Sequence, residues 1–337
     1  MKNFWNDISK PVYSLAPMED VTDTVFREIV LGISDPDYLH VLFAEFTSTD
    51  GLCHEVGREK VSHRLHVNES ERKLLKEKGV KLVAQIWGSD PEKYSRSVKL
   101  ICEEMDFDGI DINMGCPVRK IVKSGACSDL IRTPDLAKEI IQAATEAADI
   151  PVSVKTRTGI NEHITEEWIG QLLDMKPPAI TLHARTQKMM SDKPADWQQL
   201  GKAVRLRDQI NPDTLIIGNG DIFSFDDSIR MIHEQGVDGI MIGRGIFKDP
   251  WIFNPDNPQP GPAERLGILL KQAELYEKTW RGIKNFNILK RFFKIYTSGF
   301  YNASDIRNEL MQAKNAVEVR EIISGTMYYN DKTTKEQ

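Results

Sequence analysis

Short apolar runs rich in β-branched residues alternate along the chain with longer segments of helical periodicity. The runs are "VYSLAPM" at 12–18, "VLFAEFT" at 41–47, "KLVAQIW" at 81–87, "GIDINM" at 109–114, "PVSVKTR" at 151–157, "AITLHAR" at 179–185, "TLIIGNG" at 214–220 and "GIMIGR" at 239–244. Their near-continuous apolar character suits parallel strands covered on both faces. Intervening segments such as "PEKYSRSVKLICEEM" and "PDLAKEIIQAATEAA" place apolar residues at helical spacing. Eight βα units predict an α/β fold of the TIM (β/α)8 barrel type. A doubly wound sheet is disfavoured, because no GxGxxG opens a first βα turn.

After "KDPWIFNPDNPQPGPAE", with its five prolines, the pattern becomes wholly helical. The expected organisation is a barrel over 1–255, a linker over 256–261, a helical domain over 262–330 and a frayed tail over 331–337. Asp7 and Lys10 interrupt any leader-like apolar stretch, and no run reaches transmembrane length, so the reading is a cytoplasmic protein with no membrane partner, and a monomer. Four cysteines without a CxxC pair or zinc-type Cys/His spacing predict neither a disulfide framework nor a metal site. Net charge is −6, but residues 262–337 hold thirteen Lys/Arg against nine Asp/Glu, which leaves −10 on the rest. An anionic macromolecule is therefore expected at the C-terminal end. There "RGIKNFNILKRFFK", 281–294, carries five basic residues, no acidic one and three phenylalanines. A helix here would present cations outward with its aromatics packed inward, or be an ordinary amphipathic helix.

In such a barrel, function gathers where strands end and eight βα loops converge. Those ends give Pro17 and Met18, Gln85, Asn113 followed by Cys116, Lys155 with Arg157, His183 with Arg185, Asn219-Gly220-Asp221, and Gly243-Arg244. The last two clusters follow strands seven and eight, where barrels commonly hold a phosphate. Gly220, Gly243 and Gly245 allow close backbone approach, and Arg244 supplies charge. The plainer alternative is that these glycines only make tight turns. Lys155 suits a Schiff-base nucleophile, a donor to an electron-rich ring, or a structural lysine paired with a carboxylate. His183 alone would read as a satisfied core histidine. Cys116, between Asn-Met-Gly and proline, is a reagent or a small buried hydrophobe. The second description suits Cys102 better, and Cys127 stays undecided.

The segments "APMEDVTDTVFR", "AQIWGSDPE", "DINMGCPVRKIVKSGA", "VKTRTG", "LHART", "ADW", "GNGDI" and "GRGIFKDPWIF" resemble the tRNA-dihydrouridine synthases, in order from about Val12 to Phe253. Asn-x-Gly-Cys-Pro is the specific motif. The resemblance implies an FMN in the barrel mouth, NADPH as its reductant, and tRNA held between barrel and helical domain. It places flavin contacts on Pro17, Met18 and Glu19, Gln85, Lys155, His183, Asn219, Gly220, Asp221, Gly243 and Arg244. Uracil contacts fall on Asn113, Arg157 and Arg185, and phosphate contacts are expected at Lys290, Arg291 and Lys294. Between "HART" and "ADW", where many members carry an aromatic and then a glycine, this chain has Ser191 and Lys193.

The implied activity is reduction of a uridine in tRNA to dihydrouridine, with hydride to C6 and a proton to C5. Cys116 is the expected acid, because an ordinary thiol pKa of roughly 8.5 keeps it mostly protonated near neutrality. Three other readings use the same residues. An FMN barrel could reduce a free pyrimidine or small enone. An aldolase-like barrel could use Lys155 as a Schiff base. A non-enzymatic RNA chaperone could keep the barrel as scaffold.

Overall fold

The computed structural model describes residues 3–256 and 259–335, with side chains up to residue 325. Linker residues 257 and 258 and tail residues 336 and 337 lie outside the described residues. Among the described residues nine parallel strands follow in order: β1 (Val12–Leu15), β2 (Val41–Phe43), β3 (Thr47–Ser48), β4 (Lys81–Trp87), β5 (Gly109–Met114), β6 (Val152–Arg157), β7 (Ala179–His183), β8 (Leu215–Asn219) and β9 (Gly239–Ile242). Strand β1 pairs with both β2 and β9, and β2 pairs with β4, so eight strands close into a barrel. All eight expected runs are strands of it. The second run is cut short: it stops at Phe43, and Thr47–Ser48 returns as the two-residue β3 on the edge of β4. Between them Glu45 is fully buried and accepts a hydrogen bond from the Asp20 N–H and an ion pair from Lys284, which draw the backbone out of the ladder.

Because side chains alternate across a strand, each strand sends every second residue into the barrel. Its lower interior is apolar, a cluster of Val12, Val41, Phe43, Val83, Ala179, Leu215, Ile217 and Met241 closed by Phe4 and Trp5. Toward the strand ends the same parity gives Gln85, Asn113, Lys155, His183 and Asn219. The ladder places Asn113 opposite Lys155, and His183 opposite Asn219. The outer faces pack on amphipathic helices. Pro91–Glu104 is a clear case: Asp90 caps its N-terminus by accepting from the Glu92 and Lys93 N–H groups, Pro91 starts it, and Tyr94, Val98 and Ile101 form its buried stripe.

Beyond residue 261 the chain is helical, as Pro262–Trp280, Lys290–Tyr296, Ala303–Leu310 and Ala316–Lys335. The last helix continues through Lys335, so residues 331–335, expected as tail, are helical. Pro262–Trp280 packs on the barrel helix Thr24–Ile33 and on the final helix. Phe292 stacks on Phe26 of the barrel at 4.9 Å, and Lys284 crosses to Asp23 at 3.4 Å and Glu45 at 3.1 Å. Among the described residues no helix is long and apolar enough to cross a membrane, and no His/Cys/Asp/Glu group gathers as a metal site.

Candidate active site

A cleft opens at the C-terminal ends of the strands. Its lining includes Pro17, Met18, Lys155, His183, Arg185, Asn219, Gly220, Asp221, Gly243 and Arg244, brought together from β1, β6, β7, β8 and β9. Of the expected flavin contacts, Glu19 and Gln85 stand outside this lining. Glu19 is exposed and paired with Arg64 at 2.7 Å. Gln85 is fully buried and belongs to a polar chain under the mouth.

That chain starts at Asp111, which sequence reasoning missed. Ser153 Oγ donates to Asp111 Oδ1 at 2.6 Å, and Gln85 Nε2 donates to Oδ2 at 2.7 Å. Asn113 Nδ2 donates to Gln85 Oε1 at 2.9 Å, while its own Oδ1 accepts from the N–H groups of Gly115 and Cys116, both at 3.0 Å. A carboxylate can only accept, so it fixes which way both amides face. The last link holds the backbone of the Cys116 turn. Burial pushes the Asp111 carboxyl up to about 6 against the pull of Ser153, Gln85 and Lys155. The signal in sequence was a carboxylate inside an apolar strand, between Ile110 and Ile112.

Lys155 Nζ donates to Asn219 Oδ1 at 3.2 Å, and burial with nearby Arg157 brings its ammonium down to about 8. Asn219 is itself fixed by donating to the Met241 carbonyl at 2.7 Å. Burial, reinforced by Arg157, Lys155, Arg185 and Arg244, holds His183 well below the ordinary histidine range, so its imidazole is neutral. Arg185 Nη1 lies 2.9 Å from His183 Nε2, and a guanidinium only donates. The histidine proton therefore sits on Nδ1.

Arg185 is otherwise engaged. It donates through Nη2 to both Asp221 oxygens at 2.6 Å and through Nε to the Lys193 carbonyl at 2.6 Å. Asp221 also accepts from the Ala195 N–H and from Arg244. Burial alone would raise its carboxyl, but Arg185 and the Ala195 N–H outweigh it and hold it below the ordinary range. Arg157 donates from Nε to the Gly115 carbonyl at 2.7 Å and from Nη1 to the carbonyls of Thr186 and Met190. Arg244 reaches the Ser191 carbonyl at 3.2 Å. Three arginines thus grip the backbone of the 186–193 loop, the segment that departs from the resemblance, and Ser191 joins the cleft lining.

The glycines divide. A Cβ at Gly245 would lie 2.1 Å from the Ile222 carbonyl, and Gly220 has φ +125, so close backbone packing accounts for the first and backbone conformation for the second. A Cβ at Gly243 would meet only Ala16, at 3.7 Å, and Gly243 lines the cleft. Open space beside Gly243 and Arg244 is what a ligand could use.

Cys116 is half-buried two residues beyond the end of β5, and it, Asn113 and Arg157 stand outside the cleft lining. Its thiol is brought down to about 7, first by a hydrogen bond from Cys127, then by the Val118 N–H and Arg157, with burial and Glu19 opposing. Sequence alone assigns this thiol its ordinary value; in the fold it is held lower. Cys127, undecided on sequence alone, is fully buried against it, and burial pushes the Cys127 thiol far up. Cys102 is half-buried, with burial raising it to about 11.

Lys290, Arg291 and Lys294 lie apart from the cleft on the short helix Lys290–Tyr296, whose Phe292 and Phe293 are buried inward. Arg291 and Lys294 are exposed and Lys290 is half-exposed. Arg291 Nη1 donates to the Asp20 carbonyl at 3.2 Å. The two remaining cations of that stretch also have protein partners: Arg281 pairs with Glu277 at 2.7 Å, and Lys284 is buried between Asp23, Glu45 and the Trp280 ring, 4.4 Å away.

The fold is shared with other barrels. The crystal structure of TcOYE with pHBA aligns with a TM-score of 0.51 at 12% identity, covering 74% of this chain and 91% of that one. Sequence comparison is more specific. A protein named probable tRNA-dihydrouridine synthase from Staphylococcus aureus (strain COL) is 41% identical over 325 residues, 96% of this chain and 95% of that protein. Probable tRNA-dihydrouridine synthase 2 of Bacillus subtilis (strain 168) is 40% identical over 325 residues, 96% of each chain. The family model described as Dihydrouridine synthase (Dus) matches residues 14–330. With the strand-end cleft and the Asn-Met-Gly-Cys-Pro turn after β5, this chain belongs to the dihydrouridine synthase family.

Proposed function

We propose that the protein reduces a specific uridine of tRNA to 5,6-dihydrouridine, with FMN bound in the barrel mouth, NADPH as reductant and Cys116 as the proton donor to C5. The observation that carries this reading is a cleft lined by Lys155, His183, Arg185 and Arg244, with the Cys116 turn on the strand next to Lys155 and held by Asn113. The donor set suits an electron-rich ring bearing a phosphate. The Lys155 ammonium has three donors and gives one of them to Asn219, and neutral His183 has its Nδ1–H. Arg244 stands beside the open space at Gly243, where a phosphate fits. When bound and reduced, FMN supplies the hydride that goes to uracil C6.

The chain's own residues do the rest. A uridine inside folded tRNA must be turned out of its stack to reach the mouth. Arg157 has Nη2 without a partner among the described residues, so it can meet a uracil carbonyl, whereas Arg185 is occupied with Asp221, His183 and Lys193. As negative character develops at C5, the Cys116 thiol gives up its proton there. Lys155 and Arg157 lie close enough to stabilise the thiolate left behind.

The purified protein is expected to be yellow, with FMN released on denaturation, and Arg244→Ala should retain less of it. Absorption spectra after gel filtration measure both. A colourless protein that takes up no added FMN would contradict the cofactor and leave the Lys155 Schiff-base chemistry to be tested by borohydride trapping. For tRNA, Lys290, Arg291 and Lys294 changed together to alanine should weaken binding and reduce the salt slope by about one for each phosphate no longer neutralised. Filter binding across a salt series checks this. An unchanged slope would make that helix face merely solvated.

A further inference from the structure

Residues from the ends of β7 and β8 form a relay on one side of the cleft. Asp221 accepts from Arg185 Nη2 on both oxygens at 2.6 Å, and Arg185 Nη1 lies 2.9 Å from His183 Nε2. The Arg185 side chain is 2% exposed, and its Nε is spent on the Lys193 carbonyl at 2.6 Å. Each of its three nitrogens therefore has a partner inside the protein. Backbone closes over the contact. A Cβ at Gly220 would fall 3.2 Å from His183 Cδ2 and 3.6 Å from Arg185 Nη1. Trp197 Nε1 holds that turn in place by donating to the Gly220 carbonyl at 2.9 Å.

The His183 ring is thus held along its Cδ2–Nε2 edge, which leaves Nδ1 on the other side. Nδ1 has no partner among the described residues, and His183 lines the cleft. A guanidinium only donates, so Nε2 can only accept, and the single N–H of a neutral imidazole falls on Nδ1. Without that donor the ring could carry its proton on either nitrogen and turn a lone pair to the cleft. Arg185 removes this choice.

We infer that Arg185 is a positioning residue: clamped by Asp221, it donates to His183 Nε2 and so keeps an N–H donor on Nδ1, turned to the cleft. A donor there favours a ring that gains negative charge on reduction, because a hydrogen bond to the charged form stabilises it. This effect on the flavin rests on the cofactor proposed above, whereas the tautomer is tested without it. Lys155, Arg157 and Arg244 also place positive charge around the ring. Among the described residues, Arg185 is the one that hydrogen-bonds it.

The test is nitrogen NMR of the flavin-free full chain with isotope-labelled histidine, in which couplings from the ring protons report which nitrogen is protonated. The chain has seven histidines, and His183→Gln identifies the signal that matters. The parent should show His183 protonated on Nδ1. In Arg185→Met, Asp221 keeps the Ala195 N–H and Arg244, so no charge is stranded, and the Nε2–H form should appear. In Arg185→Lys, whose ammonium still donates, the Nδ1–H form should persist. A parent protonated on Nε2, or an Arg185→Met variant that remains wholly Nδ1–H, overturns the inference. In the flavin-loaded protein, Arg185→Met should shift the balance of reduced against oxidised flavin about tenfold toward oxidised, about 30 mV for a two-electron couple. A changed tautomer with an unchanged midpoint would leave the relay standing and overturn its effect on the flavin.

Discussion

Cys116→Ala is expected to slow re-oxidation of the reduced flavin by tRNA by about 10²–10⁴-fold, the usual contribution of a positioned general acid. Its reduction by NADPH should proceed at the parent rate. The two half-reactions separate because only the second leaves charge on uracil C5, and water excluded from a closed mouth protonates that carbon slowly. Affinity for tRNA should change little, since the thiol is one small group. A pH series adds a signature. Cys116 lies at about 7, so its proton-donating form is present below that pH and is lost as pH rises through it. The parent's oxidative rate should fall above neutrality, and the residual rate of Cys116→Ala should lack that limb. Rapid-mixing absorbance of the flavin measures both. Re-oxidation of the variant at the parent rate would remove Cys116 from the chemistry.

A second large effect is expected on stability, at a pair far from any substrate. Arg27 and Glu71 are both fully buried. Arg27 donates from Nε and Nη2 to the two Glu71 oxygens at 2.6 and 2.8 Å, from Nη1 to the Thr22 carbonyl at 2.6 Å and from Nη2 to the His66 carbonyl at 3.1 Å. This fork ties the end of the Met18–Thr22 segment, which frames the cleft, to the barrel helix Glu69–Lys78. Arg27→Met should cost about 3–5 kcal/mol, because it strands a buried carboxylate and two carbonyls. The double change Arg27→Met with Glu71→Leu should recover a substantial part, since the desolvated charge then disappears with its partner. Urea unfolding midpoints decide it. A single variant no less stable than the double would show that the pair is not an ionised clamp.

The barrel was legible because strands buried on both faces leave near-continuous apolar runs, and a helix between each pair leaves a different period. The mouth was legible for a related reason. Polar residues at the ends of otherwise apolar runs mark where strands finish, and the fold brings Lys155, His183 and Asn219 into one cleft. What the one-dimensional pattern hid were contacts between distant segments. Asp111 looks like an interruption of an apolar strand until Gln85 and Ser153 come alongside. Glu45 reads as part of a strand, and Lys284 as part of a basic helix, yet they meet at 3.1 Å and remove that lysine from any phosphate surface. Arg185 resembles a substrate contact in "HART", and the fold turns it onto Asp221 and the 186–193 loop. The 127–128 segment was opaque because its neighbour is distant in sequence: Ser128 Oγ donates to the Cys116 carbonyl at 2.7 Å.

Transfer of electrons from a reduced flavin in this mouth to a uridine in tRNA is tested most directly with NADPH-reduced protein, incubated without air with a tRNA transcript that carries no modifications. Flavin re-oxidation is followed by absorbance, while nuclease digestion and mass spectrometry count the nucleosides that have gained two hydrogens. The expected result is one dihydrouridine at a single tRNA position for each flavin re-oxidised, and no comparable re-oxidation by free uracil or uridine. Re-oxidation by the free base with no dihydrouridine in the transcript would contradict it, and would make the protein a reductase of small pyrimidines on the same barrel.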